Sequence, residues 1–324
     1  MVLGATGTIG QAATRALVAR GHDVVCFVRS RAGVGGSLGS DETAELLHGA
    51  TLRVGDVTDN QSLAHNGFCG ERFDAVVSCL ASRTGAPADA WAIDHDAHLG
   101  VLKAAKDAGV THMVLLSAIC VQKPQLEFQK AKLAFEKALI DSGLIYSIVR
   151  PTAFFKSLSG QVERVKNGKP FLLFGDGELT ACKPISDDDL GGFIAECLDD
   201  ESRRNCILPI GGPGETVTPK QQGEYLFSLL GRKPRFKRVP VALLDTIIFV
   251  LSALGRVAPP LAEKAELARI GRYYATESML VFDENADRYD ADRTPSTGTE
   301  TLFEYYDRLL KGEASLQRGD HAVF

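Results

Sequence analysis

The sequence predicts an α/β fold: a mainly parallel, doubly wound sheet with a smaller, mostly helical C-terminal region. Three observations lead there. From Met1 to about Thr152, short apolar runs alternate with helix-period stretches, the pattern of βαβ units. The runs DVVCFV, DAVVSCL, MVLLSA and YSIVR lack polar alternation, so their strands are covered on both faces. The chain also opens on a glycine loop, Gly4-Ala-Thr-Gly7-Thr-Ile-Gly10, between a strand and an amphipathic helix.

Taken in order, strands are expected at Met1–Leu3, Val24–Val28, Thr51–Val54, Ala75–Cys79, His112–Ser117 and Ile145–Val149. Helices are expected near Ile9–Arg20, Asp59–Asn66, Ala88–Ala108 and Glu127–Ser142. The Gly/Ser-rich segment Ala32–Ser40 reads as a mobile loop. After Pro151 the pattern loosens. Helices near Phe155–Lys166, Asp187–Asp199 and Pro219–Leu230 mix with strands near Phe171–Phe174 and Cys206–Pro209. Pro240 to Ile270 and Gly298 to Leu310 read as helical. The expected domains are a dinucleotide-binding core, 1–152, and a substrate-binding region, 153–324, part of which returns to the core. The three residues before Gly4 are short for a buried strand, so the natural chain is expected to begin a few residues earlier.

With 324 residues, 45% apolar content and a formal charge of -5, the chain buries a real core and has no general attraction to nucleic acid. Its seven cysteines form no C-x-x-C pair. Dispersed thiols argue for a reducing compartment and against an iron–sulfur centre. His95 and His98 are spaced like a metal pair, but no third ligand is near in sequence, and a structural role is the better reading.

The glycine loop is the first chemical signal. Gly4, Gly7 and Gly10 allow a tight turn, close approach to a pyrophosphate and close helix packing, with Thr6, Thr8 and Ile9 completing the loop. This predicts a dinucleotide-binding Rossmann fold. The second strand ends in Val28-Arg29-Ser30-Arg31, where an acidic residue would select NAD. Arg29 and Arg31 suit a 2′-phosphate instead, so the expected cofactor is NADPH. Asp56, followed by Val57, can bond the adenine amine or simply form a turn. Cys79, Leu80 and Ala81 end the fourth strand, where the chain passes along the cofactor. Ser117 ends the fifth, as a reacting hydroxyl or only as a strand terminus. Lys132 lies one helical turn after Phe128, on the same side; it is a site residue or a surface lysine. Pro151, Thr152 and Phe154 follow the sixth strand, beside the nicotinamide.

Arg232, Lys233, Arg235, Lys237 and Arg238 crowd into residues 232–238, and the apolar stretch 241–254 follows. Fourteen residues cannot span a bilayer. The pair is a peripheral membrane contact, an entry for a flat apolar ligand with a carboxylate, or a solvated loop before a core helix.

These blocks carry a resemblance. GATGTIG, the arginine-bearing second strand, SAICVQKPQLEFQKAK, RPTAFFKSLSGQVERVKNGKPF and ATESMLVFDENADRYDADRTPSTGTETL together resemble the NmrA-like atypical short-chain dehydrogenase/reductase family, specifically its tetrapyrrole vinyl reductases. The resemblance covers nearly the whole chain, and the SAICVQKP block and C-terminal pattern are its specific parts. It implies NADPH-dependent reduction of the C8 vinyl group of divinyl chlorophyllide or protochlorophyllide to ethyl, in chlorophyll or bacteriochlorophyll synthesis. With no plastid transit segment visible ahead of the glycine loop, a cytoplasmic protein of a photosynthetic bacterium is expected.

Short-chain reductases pair a catalytic tyrosine with a lysine four residues later. Here Phe128 stands in the tyrosine position, and a phenyl ring donates no proton. Reduction of a conjugated vinyl group forms no oxyanion, so it needs no such phenol. The resemblance therefore implies that Lys132 holds the nicotinamide ribose, that Ser117 lies at the reaction centre, and that Phe128 walls the pocket. Two alternatives share this scaffold: a dinucleotide-sensing regulator without catalysis, and a reductase of another conjugated C=C bond.

Overall fold

The computed structural model describes residues 1–33, 36–256 and 258–314. Two positions of the Gly/Ser-rich segment, Val34 and Gly35, lie outside the described residues, as does Val257 within the expected 240–270 helix. The chain divides into two compact units. The first comprises Met1–Thr84, Ala88–Pro151 and Asp187–Leu208; the second comprises Gly85–Pro87, Thr152–Ser186 and the residues from Pro209 on.

The first unit is built on the expected sheet. Its strands are β1 (Val2–Leu3), β2 (Val25–Val28), β3 (Thr51–Val54), β4 (Ala75–Ser78), β5 (His112–Leu116) and β6 (Ile145–Pro151). After β7 (Phe171–Phe174) in the other unit, β8 (Cys206–Ile210) closes the order β3-β2-β1-β4-β5-β6-β8. The ladders from β3 through β6 are all parallel. The order reverses direction at β1, the crevice where doubly wound sheets bind ligands.

Leu3, Phe27, Leu63, Val76, Met113, Phe135 and Ile148 are buried in one core cluster. Each such side chain contributes about 2 kcal/mol of burial free energy. The helix Asp187–Asp199 packs on Thr8–Ala19. Gly191 permits this contact, because a Cβ there would lie 2.5 Å from the Ala12 carbonyl carbon. Three aspartates in its first turn suit the positive end of the helix dipole.

Several elements differ from expectation. Ser40–Leu46 is a helix, started when the Glu42 carboxylate accepts from the Gly39 amide at 2.9 Å. A composition of Gly and Ser hid that local cap. The expected helix at Asp59–Asn66 is a short α turn, Asn60–Ser62, running into a π-helix, Leu63–Phe68. The Ala88–Ala108 stretch is likewise interrupted by a π-helix, Trp91–Ala97. The expected Phe155–Lys166 helix breaks into Phe155–Leu158 and Val162–Lys166. Ser159 turns its hydroxyl back onto the Phe155 carbonyl at 2.7 Å, and Gly160 follows.

The second unit has its own core, with Phe155, Phe171, Phe227 and Tyr306 buried together. The Tyr306 hydroxyl donates to the Leu158 carbonyl at 2.7 Å. Strand β9 (Phe236–Val239) pairs in parallel with β7. A hairpin, β10 (Val281–Asp283) with β11 (Arg288–Asp290), precedes the helix Leu302–Lys311. The expected 240–270 helix is two helices, Val241–Gly255 and Pro259–Thr276, packed as a hairpin. Among the described residues, no helix is long and apolar enough to cross a membrane.

Candidate cofactor and active site

The glycine loop has the geometry its spacing requires. Gly4 takes φ +70, and a Cβ there would meet the Cys79 backbone at 2.6 Å. A Cβ on Gly10 would stand 2.1 Å from the Gly4 carbonyl oxygen. Side chains at either position would close the turn. The Gly7 amide donates to Gly4 O at 3.0 Å, and Gly7 starts the Thr8–Ala19 helix without a side-chain cap. No acidic residue lies in the first turn. The positive end of the helix is therefore uncompensated from within, and suits a phosphate.

Arg29 and Arg31 are both exposed just beyond β2. The Arg31 Nε donates to the Gly36 carbonyl at 3.1 Å, while Ala32 and Leu38 exchange backbone hydrogen bonds. The described part of the Gly/Ser-rich segment is thus tied back on itself. Asp56 follows β3; its Oδ1 accepts from the Thr58 amide at 2.9 Å and the Thr58 hydroxyl at 2.7 Å. These bonds hold its carboxyl below the usual range, with a further contribution from the Arg29 charge. Asp56 therefore does form a turn, and Val57 packs against the core beside it. Cys79 donates its amide to Leu3 O at 2.9 Å, and loss of hydration pushes its thiol up to about 12. A thiol protonated in this way lines the chain's path without acting as a nucleophile. Leu80 packs beside the core cluster, and Ala81 is exposed.

Beyond β5 the structure supplies a partner that the sequence did not reveal. The Ser117 hydroxyl donates to Glu136 Oε1 at 2.5 Å. Arg150 donates its Nε to the same oxygen at 3.2 Å and pairs with Oε2 through its terminal nitrogen. Glu136 is buried, so this network joins the ends of β5 and β6 to the Glu127–Ile140 helix. Ser117 is a strand terminus with its proton already committed.

Phe128 is half-buried on that helix, one turn before Lys132. Lys132 donates Nζ to Asp94 Oδ1 at 2.9 Å. Asp94 lies in the Trp91–Ala97 π-helix with its side chain fully buried, and the same oxygen accepts from the Ser82 amide at 3.3 Å. Burial pushes the Asp94 carboxyl up, but the Lys132 charge and the bonds from Ser82 and Lys132 outweigh it and hold it low. Asp94 Oδ2 is buried with no hydrogen-bond partner. His98 lies one turn on. Its Nε2 meets the Ser78 hydroxyl at 2.9 Å and its Nδ1 the Ile93 carbonyl at 2.8 Å. Both ring nitrogens are occupied, and burial lowers its pKa to about 4. Metal binding is not open to a ring held this way.

Pro151 ends β6. Thr152 and Phe154 belong to the second unit. The Thr152 amide donates to Ile210 O at 2.9 Å and its hydroxyl bonds the Lys183 carbonyl. Phe154 bridges to Ile185, while Phe155 is buried against Tyr305. Thr152 and Phe155 thus serve their own unit's packing. None of the seven cysteines is in a disulfide. The first unit's loop, arginine pair, Asp56, Cys79–Ala81, Ser117, Phe128 and Lys132 all follow the C-terminal strand ends or the helices beside them.

The NAD(P)H-binding family matches residues 4–201. The divinyl chlorophyllide a 8-vinyl-reductase, chloroplastic, of Oryza sativa subsp. indica is 51% identical over all of this chain and 82% of its own length. The protein of that name from Arabidopsis thaliana is 47% identical over 99% of this chain and 79% of its own. Among solved structures, the Escherichia coli NADPH-dependent quinone oxidoreductase QOR2 with NADPH superposes with a TM-score of 0.66. It is 18% identical, covering 95% of this chain and 99% of its own. That likeness concerns the fold.

Proposed function

The chain belongs to the divinyl chlorophyllide a 8-vinyl-reductase family and, within the NAD(P)H-binding proteins, we propose that it reduces the C8 vinyl group of divinyl chlorophyllide or protochlorophyllide to ethyl, using NADPH. The observation that carries this reading is half-identity to those reductases along the entire chain, joined to a site with Phe128 where a carbonyl reductase needs a phenol.

The glycine cradle fits a dinucleotide, since the tight turn that only glycine permits at Gly4 and Gly10 leads into a helix start with no side-chain cap and no acidic residue in its first turn. In this reading the Gly4–Gly10 loop and the uncapped helix hold the pyrophosphate. Arg29 and Arg31 hold the 2′-phosphate, and Asp56, Val57, Cys79, Leu80 and Ala81 flank the adenosine and ribose. When bound there, NADPH would supply the hydride for the terminal vinyl carbon. Lys132 holds the nicotinamide ribose hydroxyls and can deliver the proton required at the inner vinyl carbon. Asp94 keeps that ammonium aimed, acting through Lys132. Phe128 walls the pocket and excludes water. Ser117, bound to Glu136, fixes the loop behind the reaction centre. Pro151, Thr152 and Phe154 lead into the second unit, which takes the tetrapyrrole.

The developing charge spreads into the conjugated macrocycle, so the protein's task is mainly orientation. We further propose, separately from the reaction, that this is a cytoplasmic protein of a photosynthetic bacterium. Anaerobic incubation with NADPH and divinyl chlorophyllide tests it. NADPH oxidation should accompany a blue shift of the Soret band. If NADPH binds but neither signal changes, the substrate assignment fails, and a dinucleotide-sensing role or another conjugated C=C substrate takes its place.

A further inference from the structure

The helix Val241–Gly255 is built the reverse of an ordinary surface helix. Leu243, Ile247, Val250 and Leu254 recur at helical spacing and form one stripe. Together with Phe249, which lies off the stripe one turn after Asp245, these side chains are between 39% and 75% exposed, and no residue of the helix is buried. The polar residues are spent within the hairpin. Asp245 pairs with Arg272, Ser252 accepts from Arg269 at 2.7 Å, and the Thr246 hydroxyl donates to the Ala242 carbonyl at 2.9 Å. The face turned to solvent is therefore apolar, and the polar face is already partnered. A monomer in water gains nothing from this arrangement.

The chemistry beside the helix says what covers it. Strand β9 leads into the helix through Pro240, carrying exposed Lys237 and Arg238. Arg232 and Arg235 donate to the carbonyls of Val165, Lys166 and Gly168. Residues 232–238 thus form a cationic patch, while the nearby Lys166 side chain is paired with Glu163 at 3.7 Å. The whole chain carries -5, so this patch opposes the net charge. An apolar stripe continuous with a basic segment complements an anionic lipid surface: acyl chains for the stripe, phosphate headgroups for the cations. A second copy of the same surface would bring like charges together.

We propose that the Val241–Gly255 face, with the basic segment before it, docks this protein on an anionic lipid bilayer, lying in the interface without crossing it. This inference does not depend on the reaction assigned above.

The test is co-sedimentation of the full chain with phosphatidylcholine vesicles, with and without phosphatidylglycerol. Binding should require the anionic lipid and weaken with salt. Lys237→Glu with Arg238→Glu, and separately Phe249→Ser with Val250→Ser, should each reduce binding by about tenfold or more. NADPH affinity should stay unchanged, which reports folding of the first unit independently of any substrate. Phe249→Trp leaves the surface apolar, so its fluorescence should move to the blue on adding anionic vesicles. No binding by the parent chain, or an unmoved Trp signal, overturns the proposal. So does concentration-dependent dimerisation that the Phe249→Ser, Val250→Ser variant abolishes, because the occupant would then be a second copy.

Discussion

Lys132 and Asp94 show how the two members of one ion pair can differ in legibility and in cost. Asp94 is fully enclosed, whereas Lys132 keeps 12% of its side chain exposed. Lys132→Met leaves a buried carboxylate uncompensated, which costs roughly 3–5 kcal/mol. Asp94→Asn lets the lysine turn toward solvent and costs less. The double variant should therefore regain most of the stability lost in Lys132→Met, as read from urea melts. NADPH affinity, followed by cofactor fluorescence without substrate, should stay weak in all three variants. Adding Asp94→Asn to Lys132→Met should not weaken it further. A separate loss in the double variant would make Asp94 a packing residue only. Lys132 and Phe128 stood out in the sequence because they occupy the two positions of the tyrosine–lysine pair in the reductases that the chain resembles. Asp94 was not, being one acid between His95 and aliphatic neighbours. Its signal, in retrospect, is the i, i+4 pair Asp94 and His98 on a buried helix face. Glu136 was hidden in the same way, although its partner Ser117 stood out at a strand end.

Among elements, the close contact of Thr8–Ala19 with Asp187–Asp199 links the cofactor loop to stability. Gly191→Ala would place a methyl group 2.5 Å from the Ala12 backbone, and the two helices would have to separate. Overpacking of this kind costs typically 1–3 kcal/mol. It should also shift the helix end that faces the phosphates. The expected result is a lower urea midpoint together with a weaker NADPH dissociation constant; a lower midpoint with unchanged affinity would uncouple the two. The helix Asp187–Asp199 was readable to its bounds because three acidic residues mark its start and apolar positions repeat behind them. The two π-helices were not readable, since a single extra residue per turn leaves the apolar pattern almost unchanged over six or seven residues. The strand β9 was missed because Phe236–Val239 is half basic, and charge counted against it.

For the molecule as a whole, acid should be the weak direction. Burial holds His98 neutral with a pKa lowered to about 4, against 6.5 in an unfolded chain. The unfolded state thus takes up a proton that the folded state refuses. Stability is complete above about pH 6.5 and falls as pH drops toward 4, by up to about 3 kcal/mol from this residue. His112, lowered mainly by burial and then by Arg204, acts in the same sense. Urea midpoints measured across that window should decline, and His98→Gln should flatten the slope; an equal slope in the variant would assign the effect elsewhere. The doubly wound parallel fold was legible, because glycine loop, strand runs and helices all point to it; the strand order itself came from the structure. The second unit was less so: its strands are short and its helices broken, and apolar periodicity over four residues does not separate strand from helix. Its parting from the first unit also follows no single cut. Residues 187–208, which return to the first unit, decide something about synthesis. While the chain leaves the ribosome, the helix that covers Thr8–Ala19 is not yet made when the glycine loop, β1 and β6 already exist. The first unit can close only after about two hundred residues have emerged. Until then its apolar helix face stands open, and nascent chains halted near residue 150 are natural clients for a chaperone.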